Sequence, residues 1–402
     1  MAKPLPRIRM ELDFMPSPAE DRPGLMIRDP FEFSDAVLIV PPPLVRALAC
    51  FDGGHDEAGL REAIHEATGE LRSGELGERL LEALDGAGFL ENERFDEMRL
   101  ASVREFESAA VREPCHAGSA YPDTGEELEA WMAENMGQPA GEAEAVAAIA
   151  APHASPEGGW ASYRAAYGAL GGWARDKTFV ILGTSHYGEP GLYGLTRKRF
   201  VTPWGAAQTE LALVDELSRR APASIRMEDY CHKIEHSIEF QIVFLQSLFG
   251  AGVRVAPILA GSFAEAMEAG RAPESDPAVA AFIDVLGDIR AREGSKLVFV
   301  LGVDMAHMGR RYGDDFAAEP NRGAMAEAGA GDRGRIDRLM AGDAQGFWAQ
   351  VCEKQDELRW CGTAPFYTFL KSAPGVRGTL LEYQHWAIDP ESVVTFGAMT
   401  FR

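Results

Sequence analysis

The sequence is short of positive charge and of long apolar runs. Its 402 residues include 39 lysines and arginines against 62 aspartates and glutamates, a formal net charge of −23. A field of that sign repels phosphate backbones and anionic lipids, so we expect neither nucleic acid nor a membrane surface as a partner. No stretch approaches the roughly 18 apolar residues of a bilayer span, and no signal-peptide-like apolar segment follows the first charges. The sequence therefore predicts a cytoplasmic protein.

Cysteine is also scarce, and several catalytic motifs are missing. The five cysteines are odd in number and lack Cys-x-x-Cys spacing, which favours reduced thiols over a disulfide framework. The glycines do not have the spacing of a Walker loop or of a dinucleotide-binding loop. No Gly-x-Ser-x-Gly elbow is present, so a serine hydrolase is not expected.

The pattern of residues 1–110 differs from that of the rest of the chain. Short strands are predicted at Leu25–Ile27 and Ala36–Val40. Helices are predicted at Leu44–Phe51, Glu57–Ala67 and Leu76–Ala87. This order resembles a small winged-helix or PqqD-like α+β module. Because residues 51–97 hold 14 acidic residues, four arginines and no lysine, they lack the cations that contact DNA phosphates. We expect the module to dock a peptide or protein, or to be a purely structural addition.

Residues 111–402 alternate short apolar strands with helical stretches, which is the pattern of an α/β protein with a mostly parallel sheet flanked by helices. The predicted strands are Ala145–Ala151, Thr178–Leu182, Arg254–Leu259, Leu297–Leu301 and Ser392–Phe396. The predicted helices are Glu126–Glu134, Ala161–Gly171, Leu211–Arg219, Ser237–Phe249, Ala278–Ala291 and Pro365–Lys371. Residues 313–334 are rich in small and charged residues, and we predict a mobile surface loop there.

Histidines follow the ends of three of these strands. His153 comes just after the first strand, His186 after the second, and Asp304 and His307 after the fourth. The carboxyl ends of strands in open α/β sheets line the ligand crevice. The spacing between His153 and His186 fits one βαβ unit, so adjacent parallel strands would bring both imidazoles within reach of one metal ion. His236 begins a helix, where the helix dipole favours the neutral imidazole that suits a ligand or a base.

The remaining candidate residues carry weaker signals. His55 and His65 fall in the acidic module and are expected in solvent. His116 and His232 lie near enough to these motifs to line a pocket. From the residues alone, each histidine is also consistent with an ordinary hydrogen-bonded structural residue, and Cys361 with an ordinary buried thiol.

The order of these motifs resembles the Memo family, also called AmmeMemoRadiSam system protein B, over roughly residues 110–402. The matching segments are His-Ala-Gly-Ser-Ala-Tyr-Pro at 116–122, Ala-Pro-His-Ala at 151–154, Leu-Gly-Thr-Ser-His at 182–186, Thr-Pro-Trp-Gly at 202–205, Glu-His-Ser-Ile-Glu at 235–239, Asp-Met-Ala-His-Met-Gly at 304–309, Cys361-Gly362 and Ser392-Val393-Val394. The chain departs from the family pattern at Ser155–Trp160 and at Gly302-Val303, both expected at the pocket rim. The resemblance implies a fold similar to that of class III extradiol ring-cleaving dioxygenases.

The resemblance also assigns roles to six residues: metal ligation to His153, His186 and Cys361, proton transfer to His307, and pocket positions to Asp304 and His236. Two imidazoles and one anionic ligand leave open positions on Fe(II), the arrangement used for oxygen chemistry. A thiolate in place of a carboxylate softens the site, so Cu and Zn are candidates after iron.

Three functions fit these assignments. The first is a non-haem iron redox enzyme that acts on an unknown small molecule or peptide. The second is a metal-dependent hydrolase, in which the metal lowers the pKa of a bound water. The third is a metal-binding docking protein without catalysis of its own, whose partners the family name implies to be a radical-SAM enzyme and an AMMECR1-like protein.

Overall fold

The structure is a computed structural model, and it describes residues 3–19, 21–70, 72–137 and 143–402. The chain forms two compact units, Met1–Ser108 and Ala109–Arg402. Their division falls two residues before the boundary expected from the sequence. No helix in the described ranges combines the length and the apolar content that crossing a membrane requires.

The first unit combines a three-stranded antiparallel sheet, in the order β1-β2-β3, with helices. Its elements are β1 Asp13–Pro16, β2 Leu25–Arg28, β3 Val37–Val40, α1 Pro42–Val45 followed by a 3₁₀ turn Arg46–Cys50, α2 Glu57–Thr68, α3 Ser73–Gly86 and α4 Glu93–Ser108. The Asp56 carboxylate caps α2 by accepting from the N–H groups of Ala58 and Gly59, and the helix ends at Gly69 in the left-handed conformation. Strands β2 and β3 and helices α2 and α3 lie close to their predicted positions, whereas β1 and α4 were not anticipated.

The second unit is a large sheet with helices on both faces. Its strands are β4 Val111–Arg112, β5 Ala148–Ala151, β6 Thr178–Thr184, β7 Tyr193–Leu195, β8 Arg199–Thr202, β9 Gly205–Ala206, β10 Gln208–Thr209, β11 Ile225–Met227, β12 Arg254–Ala260, β13 Leu297–Gly302, β14 His307–Gly309, β15 Gly378–Asp389 and β16 Ser392–Phe401. Its helices are α5 Gly125–Met136, α6 Pro156–Gly168, α7 Leu211–Arg220, α8 Cys231–Ile234, α9 His236–Phe249, α10 Ala264–Glu268, α11 Pro277–Glu293, α12 Ala324–Met340, α13 Ala344–Glu353 and α14 Thr363–Ser372.

Ten strands form the main sheet, in the order β11-β7-β12-β6-β13-β5-β16-β14, with β10 paired to β12 and β15 paired to β16. The central strands β12, β6, β13 and β5 are parallel, and antiparallel neighbours continue the sheet on both sides. The predicted α/β architecture with a mostly parallel sheet is confirmed. The predicted adjacency of the strands before His153 and His186 is wrong, because β13 lies between β5 and β6. The connection from β5 through α6 to β6 leaves a gap of one strand in the sheet, and β13 occupies that gap.

Alternate side chains of the central strands enter two separate apolar cores. On β6, Val180 and Leu182 face one core, and Phe179 and Ile181 face the other. Helices α11 to α14 cover the first core, and α5, α6 and α9 cover the second. Burying an aliphatic or aromatic side chain stabilises the fold by about 1.5–3 kcal/mol each. Since both faces are covered, the carboxyl ends of the parallel strands are where polar side chains can gather.

The prediction of a mobile loop at residues 313–334 is wrong for its second half, which begins α12. This helix buries Met325 and Ala328 in the first core. At Gly329 the helix backbone packs closely against a neighbouring side chain, since a Cβ added there would lie 3.2 Å from Nε2 of His385. Close packing of small side chains can therefore stabilise a helix whose sequence has too few large apolar residues to predict it.

Candidate metal centre

His153 follows β5 and is oriented by the end of β13. Its backbone N–H donates to Asp304 Oδ1 at 3.0 Å, and its ring Nδ1 lies 2.9 Å from the Gly302 carbonyl oxygen. Because a carbonyl oxygen can only accept, Nδ1 carries the proton and Nε2 presents a lone pair. That nitrogen lies 3.3 Å from Sγ of Cys361. The ring is therefore held in the tautomer that a metal ligand requires.

His186 follows β6 and is oriented by the buried carboxylate of Glu235. Its Nδ1 lies 3.0 and 3.1 Å from the two carboxylate oxygens, and its backbone N–H donates to Oε2 at 2.9 Å. Burial acts to lower the pKa of His186, but Glu235 and the Cys361 thiol outweigh it and raise that pKa well above its usual value. A metal ion would therefore displace a proton from Nε2, and a histidine that donates Nδ1–H to a carboxylate is the usual form of a metal-ligating histidine.

Glu235 has a second role as the N-cap of α9. Its side chain accepts hydrogen bonds from the backbone N–H groups of His236 and Ser237. Burial acts to raise the pKa of Glu235, yet the ring and backbone N–H of His186, together with the ring of His236, hold it well below its usual value. The sequence prediction assigned Glu235 no role. The sequence did contain a signal for this role. An acidic residue directly before a helix is a typical N-cap, and Glu235 directly precedes His236 in the sequence.

Cys361 lies between α13 and α14 and completes the group of side chains around His153 and His186. Burial acts to raise its thiol pKa, but both imidazoles favour the thiolate and bring the pKa to about 7. The backbone carbonyl of Cys361 accepts from Thr184 Oγ1 at 3.0 Å, which ties the segment to the end of β6. The structure thus brings together the two histidines and the cysteine that the sequence predicted as ligands.

The segment that carries Cys361 has a strained backbone. Gln355, Asp356 and Arg359 have φ values of 50°, 50° and 53°, in the left-handed region that residues other than glycine seldom adopt. Arg359 is held in place by Asp314, with Nη2 2.6 Å from Oδ1. Strain of this kind costs on the order of 1–3 kcal/mol per residue and concentrates at functional sites.

His236, predicted as a pocket residue, lies beside the two other imidazoles. Its ring stacks on His186 with centroids 5.2 Å apart and meets His153 edge-on at 5.1 Å. One ligand atom from each of these three histidines lies within 4.8 Å of the other two, close enough to hold a single ion. Burial lowers the pKa of His236 well below its usual value, with Glu235 opposing and the neighbouring imidazoles assisting. His236 is therefore neutral, and it is the third imidazole at the same point.

Asp304 and His307 follow β13 on the same side. Asp304 is 3% exposed, and its Oδ2 lies 3.5 Å from His153 Nε2. Burial raises the pKa of Asp304 to about 6. Nδ1 of His307 lies 2.8 Å from the Met305 carbonyl oxygen and 3.0 Å from that of Arg359, so Nε2 is the free base. Burial lowers the pKa of His307, and Asp304 opposes that shift.

A second group of ligand-type side chains surrounds Glu239, one turn farther along α9 than Glu235. Cys115, His116 and Glu239 are also close enough to hold an ion. The Glu239 carboxylate, however, already accepts hydrogen bonds from the guanidinium of Arg112 and from the hydroxyl of Tyr121. Although burial acts to raise the pKa of Glu239, Arg112 keeps it below its usual value. An internal ion pair occupies this position, and its cation makes a metal ion there unfavourable.

Other histidines of the sequence analysis lie apart from this group. His232 is buried, with Nε2 3.0 Å from the Gly194 carbonyl oxygen, and burial lowers its pKa to about 4. In the first unit, His55 pairs with Asp52 and His65 bonds to a backbone carbonyl, both at exposed positions. His116 belongs to the second group, and its ring lies 5.5 Å from that of His236 in the first.

Comparison with known proteins finds relatives of this chain in other organisms. Residues 112–400 match the family model described as Memo-like protein. A MEMO1 family protein of Aquifex aeolicus is 27% identical over 380 residues, which cover 94% of this chain and 95% of the relative. Relatives in Thermus thermophilus and Methanosarcina mazei are 28% and 26% identical, over 71% and 72% of this chain and 81% and 98% of their own lengths. These two matches are as long as the second unit, whereas the Aquifex match has to include most of the first.

Proposed function

Since the chain belongs to the Memo family, we propose that it binds one metal ion through His153, His186 and Cys361 and acts as a redox enzyme on a small substrate. The observation that carries the proposal is the matched orientation of the two imidazoles. Each Nδ1 is engaged by an acceptor, Gly302 in one case and Glu235 in the other, which leaves Nε2 of each ring as the atom that can bind a metal ion.

The donor set fits a mononuclear site. Two imidazole nitrogens and one thiolate leave coordination positions open, which suits Fe(II) and oxygen chemistry. The soft thiolate also suits copper, and it suits zinc in a hydrolytic site. His236 is the alternative third ligand, because it lies as close to the other two histidines as a shared ion requires.

Bound at these residues, the metal would supply a centre that activates oxygen or polarises a substrate oxygen. The chain's own residues do the rest. Glu235 fixes the ring of His186, and Asp304 fixes the backbone of His153 through the 3.0 Å hydrogen bond. His307 accepts a proton at Nε2, since its Nδ1–H is committed to backbone carbonyls.

The test is anaerobic purification followed by elemental analysis of the full chain. We expect about one iron or copper per chain, lost in Cys361→Ala and His186→Ala. Cys352→Ala is the matched control, because Cys352 is another partly exposed free thiol and should leave the metal content unchanged. His236→Ala separates a three-histidine site from a site with two histidines and the thiolate.

Other outcomes redirect the proposal. Stoichiometric zinc would replace the redox reaction by metal-assisted hydrolysis. A wild-type protein that takes up neither iron, copper nor zinc would overturn both enzyme functions and favour a docking role. Association with a radical-SAM enzyme and an AMMECR1-like protein is a separate proposal that rests on the family resemblance, and co-purification tests it.

A further inference from the structure

We propose that a cavity beside His186 and Cys361 binds a small, uncharged and largely apolar molecule, about as large as one substituted aromatic ring. The cavity measures about 240 Å³, and Phe263, Trp348 and Trp360 line it together with those two residues. Pockets for drug-sized ligands span roughly 300–1,000 Å³, so this one suits a smaller molecule. The inference rests on the proposed function, because two of the proposed metal ligands form part of the cavity wall.

The aromatic wall presents carbon surface to the cavity. The indole N–H of Trp360 donates to Asp332 Oδ1 at 2.6 Å, and that of Trp348 donates to the Arg271 carbonyl at 3.0 Å. Both donors are therefore used before any ligand arrives. What remains on these side chains is apolar ring surface, which a ligand covers with a gain from the hydrophobic effect.

Charge around the cavity is balanced. Asp356 lines the cavity and is paired with Arg335, whose side chain is 4% exposed. His186 is paired with Glu235. Cys361 also lines the cavity, and its Sγ lies 3.3 Å from the ring of His153. A charged ligand would lose its hydration here, because these three lining residues already have partners. Neutral molecules are favoured for that reason.

Thr363 has an unpartnered hydroxyl next to Cys361. It begins α14, lines the cavity and is 8% exposed, and its buried Oγ1 has no hydrogen-bond partner among the described residues. Buried hydroxyls nearly always have a partner, so we infer that the Thr363 side chain turns its Oγ1 toward a hydrogen-bonding group of a bound ligand. Ser185 also lacks a partner, but its Oγ lies against Gly188, where an added Cβ would be 2.4 Å away. Thr363 is therefore the anchor that we assign.

The first arm of the test compares three probes of one shape on chelator-treated full-length protein. Titration calorimetry measures the affinities of benzyl alcohol, benzoate and benzylamine. Benzyl alcohol should bind at least about tenfold more tightly than either ion, because both ions must give up their hydration. Undetectable binding of benzyl alcohol, or tighter binding of an ion, overturns the inference.

The second arm locates the probe with matched variants. Thr363→Val should weaken benzyl alcohol about three- to tenfold and leave toluene unchanged, since it removes one hydrogen bond. Thr379→Val, at an exposed position of β15, should change neither affinity. Equal effects of the two substitutions, or equal losses for both probes, contradict the assignment of Thr363.

A third variant fills the space. Ala264 lines the cavity, so Ala264→Leu should abolish binding of both benzyl alcohol and toluene. Ala326→Leu, at an exposed position of α12, is the control. If Ala264→Leu fails to fold, the Thr363→Val comparison decides alone.

Metal content measured on the same wild-type protein separates this inference from the proposed function. Metal uptake without probe binding refutes the cavity assignment only. Probe binding without metal uptake refutes the metal-dependent function and leaves the cavity assignment standing.

Discussion

Glu235 and Glu239 lie one turn apart at the start of α9, and each is 1% exposed. Glu235 accepts hydrogen bonds from His186 and from the helix N-terminus, whereas Glu239 accepts from Arg112 and Tyr121. Burial acts to raise both carboxyl pKa values, and both stay below their usual range. His186 and His236 oppose burial in the first case, and the Arg112 guanidinium does so in the second.

The partner decides what each carboxylate can support. A guanidinium is permanently charged and has no lone pair, so the Glu239 pair is complete in itself. An imidazole that donates through Nδ1 still has Nε2 to offer, so the Glu235 pair can extend to a metal ion. Two glutamates of equal burial thus form a structural ion pair at one position and support the proposed metal site at the other.

Removing the Arg112 guanidinium should destabilise the fold, and this is the largest effect that we expect. Arg112→Met leaves the Glu239 carboxylate buried without its cation, which we expect to lower the free energy of unfolding by about 3–5 kcal/mol. Urea denaturation measures the loss. The double variant Arg112→Met/Glu239→Gln removes the carboxylate charge as well and should recover most of the stability. A loss under about 1 kcal/mol in Arg112→Met would contradict a structural ion pair.

Neutralising Glu235 should weaken metal binding at the proposed site. Glu235→Gln keeps an oxygen to cap α9 but removes the charge that holds His186, and we expect metal affinity to fall about 10- to 100-fold. Chelator competition measures the affinity. Glu239→Gln is the matched control one turn away, and its metal affinity should stay within about threefold of wild type. Equal losses in both variants would show that the two carboxylates do not differ as the structure indicates.

Lowering the pH should produce the smallest effect, a loss of the stability that the Arg112–Glu239 ion pair contributes. The pKa of Glu239 is lower in the folded state than its ordinary value of 4.5. The ion pair therefore contributes its full stability above that value and loses it as pH falls through the lower folded-state pKa. We expect the difference in unfolding free energy between wild type and Arg112→Met/Glu239→Gln to shrink below pH 4.5. A difference that stays constant down to pH about 3 would be inconsistent with this linkage.

The sequence was sufficient for the parts of the site that follow local patterns. His153, His186 and Asp304 could be placed at strand ends because apolar runs mark the strands, and strand ends meet at one edge of an α/β sheet. Cys361 follows no strand, and only the family resemblance singled it out.

The parts that failed depend on contacts between distant segments. The position of β13 between β5 and β6 is set by pairing across about 120 residues, and no local pattern encodes it. Helix α12 was missed because its contacts come from close packing of small residues. Glu235 was missed as an orienting residue because its function requires His186, which arrives from 49 residues earlier in the chain.

The separation of the donors also sets an order of events during synthesis. His153 and Cys361 are 208 residues apart, and at about 5–20 residues per second the thiol follows the first imidazole by roughly 10–40 s. Throughout that interval the site that we propose can offer an ion only its nitrogen donors. Its sulfur donor is the last of the three proposed ligands to be made, so the proposed site could favour soft metals only after Cys361 has been translated.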